Sequence, residues 1–214
     1  MSDNETPISY DYDDNAAGHA EDFANRIDKS DAYIGTFTNA WALTSKTKED
    51  GSGGTSGIHF EFEGAGGERG QADIYTVKKD GTKLFGYNMV MAMMLIMGVK
   101  GLKTKKGEIE VFDNDSGKRV KVEGDTFPDL MGKRIGVIFQ KELYTKNDGK
   151  EGSRYNLIAT FHPETKLTAS EIKEKKVKPE KFDRIMRGLK TKDSRVAQAA
   201  EPAQPSQALP AGDY

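Results

Sequence analysis

The sequence predicts a mainly β domain closed by one buried helix. Three observations carry this expectation. Runs with apolar/polar alternation recur through the middle of the chain, Gly-rich or Asn-Asp-Gly turns separate them, and a single apolar segment at helical spacing interrupts them.

The 214 residues divide by composition into an acidic arm (1–30), a domain (31–190) and a Pro/Ala/Gln-rich tail (191–214). The arm has few large apolar groups, and the tail around Glu201–Pro205 has linker composition. Neither can bury enough surface to offset its ordering entropy, so both are expected to be disordered.

Within the domain, Tyr33–Leu43 is the first strand, with Tyr33, Gly35, Phe37, Asn39, Trp41 and Leu43 on one face. A Gly-rich loop follows. Ile58–Glu63 and Gln71–Lys78, joined across Gly64–Gly67, form a hairpin. Leu84–Met97 is apolar nearly all round, which predicts a buried helix that Gly98 and Gly101 can stop. Glu108–Phe112 and Lys118–Val122 flank a polar turn and form a second hairpin, expected to project. Ile135–Tyr144 and Tyr155–Phe161 are the last two strands. The capping box Thr168–Glu171 starts a short helix, and Pro179–Leu189 gives a basic helical segment. Three strands, a helix and two strands is the order of a five-stranded OB barrel. The expected fold is therefore such a barrel, with a buried helix between strands 3 and 4, an inserted β-hairpin and disordered termini.

Charge is uneven although the net charge is only −2. Residues 1–31 carry nine acids against two bases, whereas residues 100–195 carry 24 bases against 16 acids. A basic body between acidic ends can attract a polyanion. With no cysteine there is neither a disulfide nor a thiolate metal site. The start is polar and acidic rather than signal-like, and the run Met89–Val99 is too short to cross a bilayer. A soluble, cytoplasmic protein is expected, with no membrane partner.

Catalytic patterns are absent. His19, His59 and His162 show no metal-ligand spacing, no nucleophile elbow occurs, and Gly64–Gly70 lacks the lysine of a phosphate-binding loop. The densest acidic cluster (Glu108, Glu110, Asp113, Asp115) is interleaved with Lys118 and Arg119 and is better explained as a solvated turn. No enzyme activity, cofactor or metal is expected. Aromatic and basic residues do share strands, and stacking faces plus phosphate-tracking cations are how single-stranded nucleic acid is held. The candidate binding residues are Trp41, Tyr75, Lys78, Lys79, Phe85, Tyr87, Lys141, Tyr144, Lys146, Arg154 and Tyr155. Phe37, Phe60, Phe62, Phe139 and Phe161 are assigned to the core.

Tyr33–Trp41, Gly57–Phe62, Leu84–Asn88 and the later Gly132–Val137 together resemble bacteriophage-encoded single-stranded DNA-binding proteins with OB folds. The resemblance implies non-catalytic coating of exposed strands, with little sequence preference, during phage replication, recombination or repair in the host-cell cytoplasm. It also implies tails that recruit replication or recombination proteins, although the tip Gly212-Asp213-Tyr214 holds a single acid. The alternative is a protein-interaction module recruiting such enzymes; a metal-dependent nuclease is the third reading.

Overall fold

The computed structural model describes residues 25–46, 53–113, 117–146 and 148–195. The expected arm and tail lie outside these residues, except for 25–30 and 191–195. Those two stretches pack on the domain. Ile27 is buried, its amide donates to the Arg69 carbonyl, and the Ser30 hydroxyl accepts from the Lys141 amide.

The chain is mainly β, and its described residues form eight strands in one open sheet. β1 (Asp31–Thr44), β2 (Ser56–Gly64) and β3 (Arg69–Val77) form an antiparallel meander. α1 (Phe85–Ile96) follows, then the hairpin β4 (Lys105–Asp113) and β5 (Lys118–Thr126). After a 3-10 turn at Pro128–Leu130 come β6 (Arg134–Thr145) and β7 (Glu151–Phe161), also paired antiparallel. α2 (Ala169–Lys173), α3 (Glu180–Gly188) and the two-residue β8 (Lys192–Asp193) finish the described chain. Among the described strands, β8 alone pairs in parallel with another strand, against β6.

β1 organises the sheet. One edge carries β2. The other is shared, with β6 along Asp31–Thr36 and β5 at Trp41. β3 and β7 approach each other, but no ladder between them closes the sheet. The main core fills one side of the sheet, where Phe37, Phe60 and Phe139 are fully buried and Phe62 nearly so. Each such ring contributes on the order of 1.5–3 kcal/mol through burial. A second, smaller core lies on the other side of β6 and β7, where Ile138, Phe161 and Phe182 of α3 meet. Gly136 is needed there, because a Cβ at this position would enter the Phe161 ring.

The expected faces of the first strand need correction. A bulge between Phe37 and Asn39 inserts Thr38 and reverses the alternation. Ala40, opposite Phe60, therefore continues the core face, and Trp41, opposite His59, turns to the outer face. The helix also differs from expectation. Met89, Val90, Met93 and Ile96 are buried, but Phe85, Met91 and Leu95 are exposed, so the segment is one-sided rather than buried all round. Its stop is as expected: Gly98 takes a positive φ, its amide bonds the Leu95 carbonyl and the Val99 amide bonds that of Met94. The β4–β5 hairpin does not simply project, because Arg119 returns to Glu61 of β2 at 3.6 Å.

Candidate nucleic-acid interface

The candidate residues fall into three groups. The first lies where β3 turns into α1. Tyr75, on the outer face of β3, is 39 % exposed, and Phe85, the first residue of α1, is 74 % exposed. Both line a groove of about 340 Å³ between β3, the start of α1 and β7, with Ile158 on its far wall. The Leu84 amide donates to the Thr76 carbonyl at 2.8 Å, which anchors the helix start to the strand. Gly86 permits the close approach, since a Cβ there would collide with the Tyr75 carbonyl.

Lys78 and Lys79 are exposed on the adjoining turn. That turn is held by the Lys78 amide on the Thr82 carbonyl, with Gly81 at positive φ. Asp80 sits between the lysines and Thr82. Hydrogen bonds from Thr82 hold its carboxyl below the usual range. Lys83 is exposed too, and its ammonium lies 4.3 Å from the centre of the Tyr87 ring. Sequence reasoning missed Lys83. The only available signal was its place one residue before the predicted helix.

The second group occupies the distal half of the β6–β7 hairpin, where the structure commits most side chains to other work. Glu142 is buried, and it accepts hydrogen bonds from Arg154 Nε (2.9 Å), Asn156 Nδ2 (2.7 Å) and Ser194 Oγ (2.7 Å). Lys192 Nζ pairs with it at 2.8 Å. The Arg154 hydrogen bond, then those of Lys192 and Ser194, hold its carboxyl far below the ordinary value despite burial. Arg154 is thus a counterion, and its guanidinium also covers the Tyr144 ring at 5.4 Å. Lys141 donates to the Asp28 carbonyl at 3.3 Å and lies over Tyr155, whose ring packs against the main core. Lys146 and Arg154 are the exposed members of this group, and Arg154 is already committed to Glu142.

Trp41 stands alone. It is 8 % exposed and stacks on the His59 ring with centroids 4.0 Å apart and planes 28° from parallel. At least one face of the indole is therefore occupied. His59 Nδ1 in turn meets Asp73 Oδ1 at 2.5 Å, giving a row Trp41–His59–Asp73 across β1, β2 and β3.

Among the described residues, no group of three or more His, Asp or Glu could hold a metal ion, and no helix is long and apolar enough to cross a membrane. In the acidic hairpin, Glu108 pairs with Lys121 at 2.8 Å and Glu110 with Arg119 at 3.4 Å. The side chain of Asp113 and residue Asp115 lie outside the described residues. No protein-family model matches the chain, and no curated protein matches it in sequence.

Proposed function

We propose that this chain binds single-stranded DNA without catalysis, on an open barrel of OB type. The barrel reading rests on element order and pairing. β1–β2–β3 form a meander, α1 follows β3, β6 returns to β1, and β7 pairs with β6 and lies near β3. The observation that carries the functional reading is the first group. Two exposed aromatic rings, Tyr75 and Phe85, share a groove beside the exposed cations Lys78, Lys79 and Lys83. Rings supply stacking platforms and ammonium groups meet phosphates, a combination that holds single strands with little regard to sequence. Coating of strands exposed in replication, recombination or repair is the role such binding would serve.

The test is fluorescence anisotropy with a labelled oligo-dT at low and high salt, with duplex as competitor. Saturable binding that weakens steeply with salt and resists duplex competition is the expected result. Salt-insensitive binding, or equal affinity for duplex, would refute it. A second reading has one observation in its favour: Phe85, Met91 and Leu95 leave an apolar stripe along the exposed side of α1, as a protein-interaction module would. Absence of oligonucleotide binding, with capture of a protein partner that survives nuclease treatment and is lost in Leu95→Asp, would favour it.

A further inference from the structure

We propose that Asp73 makes this site discriminate between bases: where a base stacks on Tyr75 and Phe85, one carrying an exocyclic amino group is preferred to one carrying a carbonyl there. The inference rests on the single-strand reading above and adds a base preference to it. Asp73 and Tyr75 are two residues apart on β3, so both side chains leave the same face of the strand. Both residues line the groove that Phe85 enters. The Asp73 side chain is 52 % exposed, which leaves it within reach of a ligand.

Its orientation is not free. Oδ1 is held by His59 Nδ1, and the His59 ring is clamped against the buried Trp41. One carboxylate oxygen is thus fixed from behind, which aims the group instead of leaving it to swing. An ionised carboxylate only accepts hydrogen bonds. Cytosine offers the N4 amino donor, whereas uracil and thymine place the O4 acceptor at the same position. Acceptor would then face acceptor, and neither would be satisfied. The lysines cannot supply this preference, because contacts to phosphate fix register and carry no base information. The negative charge of Asp73 also repels phosphate, so it favours a strand laid with its bases toward Asp73 and its backbone toward Lys78, Lys79 and Lys83. Trp41 and His59 then act as positioning residues and touch no base.

The experiment compares oligo-deoxycytidine with oligo-deoxyuridine of equal length at mildly alkaline pH. The two bases are alike in size and differ at the 4-position and N3. The intact chain should bind the cytidine strand about five-fold more tightly, on the order of one net hydrogen bond. Asp73→Asn, whose amide can donate to O4, should erase or reverse the ratio while affinity for the uridine strand holds or rises. His59→Ala should shrink the ratio with little change in uridine affinity. Equal binding of the two strands by the intact chain, or a ratio untouched in Asp73→Asn, overturns the base preference and leaves strand binding standing. If neither strand binds, both readings fall together.

Discussion

Phe85 is the residue whose exposure most needs an explanation. A phenylalanine at the first position of a helix, 74 % exposed beside Tyr75, gains almost nothing from folding. Phe85→Ala should therefore leave thermal stability within about 0.5 kcal/mol, as for a surface substitution. It should weaken oligo-dT binding about tenfold, within the range of stacking energies measured for other single-strand binders. A melt paired with an anisotropy titration checks both halves. Glu142 should behave in the opposite way. It is buried and serves Arg154, Asn156, Ser194 and Lys192 at once. Glu142→Ala removes a charged hub and should cost about 1.5–3 kcal/mol. It should also free β8, which protease cleavage near residue 192 would report. The sole tryptophan gives an independent probe. Trp41 emission should be blue-shifted and poorly quenched by acrylamide, and His59→Ala, which uncovers one face of the indole, should raise quenching severalfold.

At the level of elements, the local sequence accounts for where segments begin and end. The capping box at Thr168 is formed as expected: the Glu171 carboxylate accepts from the Thr168 amide at 2.9 Å and from the Thr168 hydroxyl at 2.8 Å. Burial alone would raise the Glu171 carboxyl. The hydrogen bonds from the Lys181 amide and from Thr168 outweigh it, and the net shift is downward. Through Lys181 the same carboxylate also ties α2 to the first turn of α3, at 2.6 Å. α3 itself matters through Phe182, which sits edge-on to Phe161 at 4.7 Å. Phe182→Ala should cost about 3–5 kcal/mol, as large aromatic truncations in a core do. Urea denaturation followed by circular dichroism would measure it. The sequence marked α3 only as a basic helical segment; in the structure its apolar side closes the second core.

For the whole molecule, Glu142, Glu171 and Tyr33 are the buried groups whose shifts give an expected pH dependence of stability. Glu142 and Glu171 both lie below their ordinary value of 4.5 in the folded chain. A carboxylate depressed by folding stabilises the native state fully above its unfolded value, and that contribution is lost as pH falls toward the folded one. The melting temperature should thus hold from neutral pH to about 5 and decline below about 4.5; the decline should be shallower in Glu142→Gln. Tyr33 gives the alkaline limit. Burial, then the charges of Asp31 and Asp28, push its phenol up to about 12 from 10.0. A raised phenol contributes fully below the unfolded value and loses that contribution as pH climbs toward 12, so stability should fall above about pH 10. A melting series across pH, with Tyr33→Phe as control, separates this effect from general alkaline unfolding.

The sequence by itself determined the order and type of the seven longer strands and the helices, because alternation, helical spacing, glycine stops and the capping box are local signals; it missed β8, which lies in the stretch expected to be disordered. It also determined the core phenylalanines, since Phe37, Phe60, Phe62, Phe139 and Phe161 lie on apolar strand faces and all are buried. Tertiary structure alone decided three things. The bulge at Thr38 is a property of the β1–β2 pairing; without a partner strand the alternation gives no sign that Trp41 leaves the core face. Arg154 and Lys141 resemble free cations in the sequence, yet Glu142 binds Arg154 across the β6–β7 ladder and Asp28 holds Lys141 from more than a hundred residues away. The candidate site narrowed to Tyr75, Lys78, Lys79 and Phe85, and gained Lys83, for the same reason. Exposure is what remains after the whole chain has packed, and no window along the sequence contains that information.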